Sequence, residues 1–349
     1  MLLVSIFSGD SDLPFEGKWI KLDRPVANRF FDFEGWKELL KIILKFKPDI
    51  IQANAADTLK FSVFSKKLFG WKAPIIYRNA NQMGDFIKGS FHRKFNQYLI
   101  NQVSAVISVS KASQVDFHKT FDFPERKSIS IPIGIDTKAI DEGLRENWEA
   151  SIPYDFLLQI GGLVEEKNPH GMLRIFSELH KIHPNLHLVF MGSGPLQHSL
   201  EEQIANQNLK DIVHLIPSRK NIFPILAKAK ALVMPSKIEG LPGVILEAMY
   251  CEIPVIAYNV GGISEVLENK ETGWLVEAGD EDKFKESILE VLNSPSSELE
   301  KITSAAQALV LKNHQIEHVA REFERFYFDV IAPARHGGRI ESWYLQAEN

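Results

Sequence analysis

Cysteine is almost absent from this 349-residue chain: Cys251 stands alone, so no intrachain disulfide can form. No stretch combines the charged start, apolar run and small-residue cleavage site of a secretory leader, and a reducing cytoplasm is the expected home. No window reaches the roughly 20 continuous apolar residues of a membrane-spanning helix, so any contact with a bilayer is expected to be peripheral. Low-complexity tracts are missing as well, which excludes extended disorder apart from a fraying tail. The net charge of −5 lacks the basic excess of a nucleic-acid binder, and no nucleic-acid partner is expected.

The length is enough for two domains, each with its own core. Charge is shared unevenly between the halves: 22 Lys and Arg face 18 Asp and Glu up to residue 150, and 18 face 27 beyond it. In the basic half, WKELLKIILKFK (36–47) and LKFSVFSKKLFGWK (59–72) interleave lysine with Trp, Phe and Leu. Such stretches suit an anionic bilayer surface, and equally the solvated lysine face of an amphipathic helix.

Short apolar runs rich in β-branched residues alternate with helix-period segments, the pattern of parallel βαβ units. Five runs lie at 2–7, 48–54, 74–79, 105–110 and 128–133, and six more at 155–162, 186–192, 212–216, 231–235, 254–258 and 273–277. The expected fold is α/β, with two doubly wound, Rossmann-like parallel-sheet domains facing a cleft. The polar stretch 137–155 marks the break, which gives an N-terminal domain over 1–145 and a second over 146–315. A final helix over 316–331 and a tail over 332–349 complete the expected organisation.

Ligands of open parallel sheets bind beyond the carboxyl ends of the strands, so the strand-to-helix turns of the second half are the place to look. Four stand out: GGLVEEKNP (161–169), GSGPLQ (192–197), SKIEGLPGVILEAM (236–249) and NVGGISEV (259–266). Glycines there let backbone N–H groups approach phosphate oxygens, though many Gly-rich turns bind nothing. Lys167 could neutralise a diphosphate or be an ordinary surface lysine. Gly243 and Val244 open a helix whose first amides favour negative charge. Glu247, one turn in, could accept two hydrogen bonds from vicinal ribose hydroxyls, and Glu239 precedes the turn.

Glu239 and Glu247 have seven residues between them and are followed by Ala248-Met249; Pro-Val-Ile-Ala (254–257), Gly261-Gly262 with Glu265, and Thr272-Gly273 come next. This ordered set resembles the donor-binding domain of retaining glycosyltransferases of family 4, group 1, which have the two-domain GT-B fold. Weaker echoes at 47–54, 105–112 and 131–136, and a final helix similar to one that crosses back to the first domain in the family, extend the resemblance over about residues 40–330. The resemblance implies transfer of a hexose-type sugar from a UDP- or GDP-sugar donor to a glycan or lipid-linked acceptor, at the cytoplasmic face of a membrane, with no metal and no cofactor beyond the donor.

By the same resemblance Glu247 holds the ribose and Glu239 lies close to the transferred sugar. The turn of Leu241, Pro242, Gly243 and Val244 holds diphosphate and sugar hydroxyls with its backbone amides, and Lys167 contacts the departing diphosphate. Gly161, Gly162, Gly192 and Gly194 shape the nucleotide pocket. Asn79 and Asn81 lie where family members carry polar acceptor-side groups. Two features depart from the family pattern: Gly162 stands where an arginine is usual, and the N-terminal domain is expected to lack its first β-α unit.

Four other readings compete. HQIEH (314–318) matches His-x-x-Glu-His, a zinc-hydrolase pattern with both histidines on one helical face. A nicotinamide dehydrogenase needs a third glycine that GSGPLQ lacks. A sugar-nucleotide epimerase shares the two-domain architecture, and a catalytically impaired sugar-nucleotide-binding or scaffold protein would share the donor motifs.

Overall fold

The computed structural model describes residues 1–7, 15, 17–146 and 155–336, with side chains as far as 332. Most of the expected tail, and the middle of the expected break at 147–154, lie outside the described residues. The chain forms two compact units: Met1 to Ser108, Gln114 to Ser130 and Phe323 onward make the first, and Val109 to Ser113 with Ile131 to Glu322 make the second. The crossing at Ser130/Ile131 precedes the polar stretch because Ile135 and Ile140 are buried in the second unit's core.

In the first unit, β1 (Leu2–Phe7) pairs in parallel with β2 (Lys18–Arg24), Leu2 opposite Lys18. Helix α1 (Phe33–Phe46) follows, then β3 (Ile51–Asn54), α2 (Ala55–Phe69), β4 (Ile75–Asn79), the short α3 (Met83–Phe86), α4 (Gly89–Ile100), β5 (Ala105–Ser108), α5 (Lys111–Thr120), whose first three residues belong to the second unit, and β6 (Ser128–Ser130). β3 to β6 form a separate four-stranded parallel sheet in sequence order. The single N-terminal sheet expected from the sequence is thus two sheets, and β2 was not expected at all. Its run KWIKLDR is half exposed and carries four charges, so it has none of the apolar continuity of a central parallel strand.

Helix α1 is set by its ends and by one face. Asp32 caps it, accepting from Gly35 N at 3.0 Å, while Trp36, Leu39 and Ile43 recur at helical spacing and are buried. Arg24 grips the buried Asp32 carboxylate with two bonds of 2.8 Å, tying β2 to the start of α1.

The second unit opens with α6 (Thr137–Gly143) and continues with β7 (Phe156–Ile160), α7 (Pro169–His180), β8 (His187–Met191), α8 (Gln197–Asn206), β9 (Val213–Ile216), α9 (Phe223–Leu226), β10 (Ala231–Met234), α10 (Gly243–Tyr250), β11 (Val255–Tyr258), β12 (Trp274–Val276), α11 (Glu281–Asn293) and α12 (Ser296–Asn313). Helix α13 (Ile316–His336) starts in this unit and ends in the first, where the Tyr327 hydroxyl donates to Gln52 Oε1 at 2.5 Å and the Arg78 guanidinium lies over the Phe323 ring.

Six parallel strands in the order β12-β11-β10-β7-β8-β9 make one sheet with a core on each face. Successive residues alternate between those cores: Leu158, Val189 and Leu232 pack on one side, Leu157, Leu188 and Val233 on the other. Two-sided burial explains why these strands read as unbroken apolar runs.

Candidate active site

From β7 the strand order runs outward through β8 to β9, then returns to β10 on the other side of β7 and runs outward again. At such a reversal the loops after the two central strands leave in opposite directions and open a crevice at the sheet's carboxyl edge. Lys167 comes from the loop after β7 and Glu239 from the loop after β10, and here they meet: Lys167 Nζ lies 2.5 Å from Glu239 Oε1. The pair is largely shielded, with the side chains 23% and 7% exposed.

Several bonds hold this pair in place. Lys237 N donates to Glu166 O at 2.7 Å and Asn168 Nδ2 to Pro235 O at 3.1 Å, so the two loops are stitched together. Gln159 Nε2 donates to Lys167 O at 2.8 Å, and the lysine stem runs over Gly161, where an added Cβ would lie 3.4 Å from Lys167 Cε. On the far side the loop after β11 clamps Glu239 through Gly262 N to Gly240 O at 2.5 Å. Gly261 (φ +59°) must be glycine there, because a Cβ would collide with Glu239 O.

The loops after β7 and β8 continue side by side beyond the sheet through Gly161 N to Met191 O and Leu163 N to Ser193 O, each 3.0 Å. A Cβ on Gly192 would run into Gly161 O, and one on Gly194 into Leu163 O. The structure thus gives these two glycines a packing reason of their own. Gly162 is different: its nearest neighbours to an added Cβ are 3.8 Å away, so the site has room for a side chain.

Leu241 is buried, and Pro242 caps α10 without a side-chain bond, leaving Gly243 and Val244 half-buried at the helix start. The first amides of a helix have no partner within it and carry its positive end. Glu247 lies one turn further on, and burial raises its carboxyl above the ordinary glutamate range. Burial, then the Glu247 and Asp141 carboxylates, push the Cys251 thiol up to about 12, so it is not a nucleophile at neutral pH. Ser236 Oγ, in the β10 loop, is buried with no hydrogen-bond partner among the described residues.

Some residues take places that the sequence reading did not give them. Glu265 accepts from Lys111 N at 3.0 Å and Ala112 N at 2.8 Å, holding the start of α5; a motif glutamate three residues after Gly-Gly was visible, but its partner lies more than 150 residues away. Asn79 is fully buried and donates to Ser108 Oγ at 3.3 Å across β4 and β5, whereas Asn81 is exposed.

His314 and His318 do not share a helical face, because α12 ends at Asn313, with His314 as its C-cap, and α13 begins only at Ile316. His314 bonds Ile133 O at 2.9 Å, and among the described residues no cluster of three His, Cys, Asp or Glu could hold a metal ion. Of the Asp-x-Asp pairs in the sequence, Asp10/Asp12 lies outside the described residues. In the other, Asp280 caps α11 and Asp282 pairs with Lys285.

A model of the family described as glycosyl transferases group 1 matches residues 142–322, and one of glycosyltransferase family 4 matches residues 4–139. The chain is 29% identical over 310 residues to the GalNAc-α-(1→4)-GalNAc-α-(1→3)-diNAcBac-PP-undecaprenol α-1,4-N-acetyl-D-galactosaminyltransferase of Campylobacter jejuni, covering 87% of this chain and 80% of that protein. It is 24% identical to an uncharacterized glycosyltransferase of Haemophilus influenzae, over 66% of this chain and only 64% of the relative's length. Among solved structures, Anabaena Alr3699/HepE in complex with UDP and glucose superposes with a TM-score of 0.73 at 20% identity, covering 88% of this chain and 84% of its own. The chain belongs to the group 1 glycosyl transferase family and has the GT-B fold.

Proposed function

We propose that the protein is a retaining glycosyltransferase that moves a hexose-type sugar from a nucleoside diphosphate donor, UDP-linked before GDP-linked, to a lipid-linked glycan at the inner face of a membrane. The observation that carries this reading is the meeting of Lys167 and Glu239 at the β7/β10 reversal, beside the start of α10. The related solved structure that holds UDP and glucose, and the Campylobacter relative whose name specifies an undecaprenol-linked acceptor, support the choice of donor and acceptor class.

In this reading the diphosphate lies against Lys167 and the amides of Gly243 and Val244, and Glu247 accepts from two ribose hydroxyls. Glu239 faces the transferred sugar, and the loops of Gly161-Gly162 and Gly192 to Gly194 border the base. As the anomeric C–O bond breaks, the diphosphate gains negative charge and the sugar becomes oxocarbenium-like. A fixed ammonium and fixed amides at the phosphates stabilise that charge more than the ground state, each donor contributing about 3–4 kcal/mol to the barrier difference. Glu239 serves the cationic side, and a phosphate oxygen takes the acceptor proton on the face where the bond forms, so the anomeric configuration is kept. No metal takes part, and chelation with EDTA is expected to leave turnover unchanged.

Calorimetry with UDP and GDP, on the chain and its Glu247→Ala variant, tests the donor site. The expected result is micromolar binding of one nucleotide, weakened about 100-fold or more by loss of two hydrogen bonds to a charged acceptor, each contributing at least about 1.5 kcal/mol. Binding that is indifferent to the substitution would remove Glu247 from the site. Gly162, with no side chain where the family carries arginine, favours a second reading as a sugar-nucleotide-binding protein without turnover; nucleotide binding with no transfer to any acceptor extract would select it.

A further inference from the structure

Among the described residues no helix is long and apolar enough to cross a membrane, yet the first unit carries an apolar surface that its own core does not use. Phe30, Phe31, Phe33, Leu44, Phe46 and Leu68 are all exposed, Phe31 to 73% and Leu44 to 61%. Single exposed apolar residues are ordinary, but six within one loop, one helix and one helix end are not.

Helix α1 buries Trp36, Leu39 and Ile43 on one face. On the exposed face Phe33, Lys37, Lys41 and Leu44 follow at spacings of four, four and three, which keeps them in one stripe. Just ahead of the helix, the Phe30 ring lies under Lys60 Nζ at 4.1 Å and beside the Arg29 guanidinium at 5.0 Å, and Phe31 stands edge-on to Trp36. Phe33 meets Phe69 with ring centroids 6.0 Å apart, which joins the stripe to exposed Lys67 and Leu68 at the end of α2. Residues 26–72 hold nine Lys and Arg against five Asp and Glu, and two of those acids, Asp32 and Asp57, are paired with Arg24 and Lys60.

We propose that this face, residues 29–33 with the outer stripe of α1 and the end of α2, docks on an anionic lipid bilayer. The chemistry fits that partner. Stable attachment without a spanning helix takes two signals, shallow insertion of apolar side chains and a basic surface. Here the aromatic and leucine side chains insert while Lys37, Lys41 and Lys45 extend their stems over them and keep their ammonium groups at the headgroups. A solvated lysine face would carry polar residues at Phe31, Phe33 and Leu44. The proposal rests on the reading of a transferase acting on a lipid-linked acceptor, since it names the surface that brings the enzyme to that acceptor.

The test is flotation of the full chain with vesicles of phosphatidylglycerol and phosphatidylcholine in equal parts, and with phosphatidylcholine alone, run beside nucleotide calorimetry on the same preparation. Flotation is expected only with the anionic vesicles and is expected to weaken as salt is raised. Lys37→Ser/Lys41→Ser should lower the partition coefficient about 30-fold, which is about 1 kcal/mol for each lysine. Phe31→Ser/Leu44→Ser should lower it at least tenfold, with nucleotide binding unchanged in both variants. Failure to float, or variants that float like the parent, overturns the proposal. Nucleotide binding without flotation sinks this surface alone, whereas flotation without nucleotide binding leaves it standing and sinks the transferase reading.

Discussion

Replacing Lys167 by methionine separates what the Lys167 and Glu239 pair does for the fold from what it does for the reaction. Methionine keeps the length and apolar stem that lies over Gly161 and removes only the ammonium. Glu239 is then a carboxylate at 7% exposure without its partner. Breaking a buried pair from one side costs about 3–5 kcal/mol, and the 23% exposure of Lys167 moves the expectation to the lower end, about 2–3 kcal/mol. Glu239→Gln removes the other charge and should cost a similar amount. The double variant leaves no unpaired charge, so its stability should return to within about 1 kcal/mol of the parent. Catalysis should not return: loss of one donor at the departing phosphate costs about 3–4 kcal/mol, a 100- to 1000-fold fall in kcat, whether or not Glu239 is also changed. Urea melts give the stability cycle, and radiolabelled sugar transfer or donor hydrolysis gives the rate. A double variant no more stable than either single variant would refute the isolated buried pair, and one that keeps kcat within tenfold of the parent would refute the catalytic site.

Because burial raises the Glu247 carboxyl, the folded state holds a proton that the unfolded state has already lost as pH rises above the ordinary glutamate range, so ionisation there works against folding. Glu247→Gln should therefore match the parent at acid pH and become the more stable of the two as pH rises through that window, as read by thermal melts over a pH series. Gly162→Arg has room for its side chain, and a guanidinium at the diphosphate should strengthen UDP binding about tenfold by calorimetry; unchanged affinity would mean that this position does not face the phosphates. Glu265→Ala removes the carboxylate that accepts from Lys111 N and Ala112 N, at a cost of about 1–2 kcal/mol, and should speed hydrogen exchange at those two amides above all others.

Eleven of the twelve strands among the described residues were legible in the sequence; those of the six-stranded sheet have a core on each face and so read as apolar runs, which need no partner to be recognised. β2 escaped because a half-exposed strand with four charges takes its structure from pairing with β1, not from its own pattern. The division of the N-terminal strands into two sheets escaped for a related reason: hydrogen bonding between strands is a property of pairs, and each strand of the split sheet reads like one of an unbroken sheet.

The site divides along the same line. The turn from Glu239 to Glu247 was readable because glycine, proline and the helix that follows are local, and local chemistry is written in order along the chain. The sequence could place Lys167 in one turn and Glu239 in another, but not in contact. The two are 72 residues apart, and only the reversal of strand order between β7 and β10 brings their loops to the same edge. HQIEH failed in the opposite sense: its spacing is right for one helical face, but burial of His314 against Ile133 and the pairing of Ile135 with Gln315 break the helix between the two histidines. By itself the sequence determined most of the segments that become strands and helices and where a glycine-proline turn opens a helix, since those follow from neighbours within a turn or two. Which charges meet, and which glycines are needed for one loop to pass another, only the tertiary structure decided, because those energies exist only between segments that folding brings together.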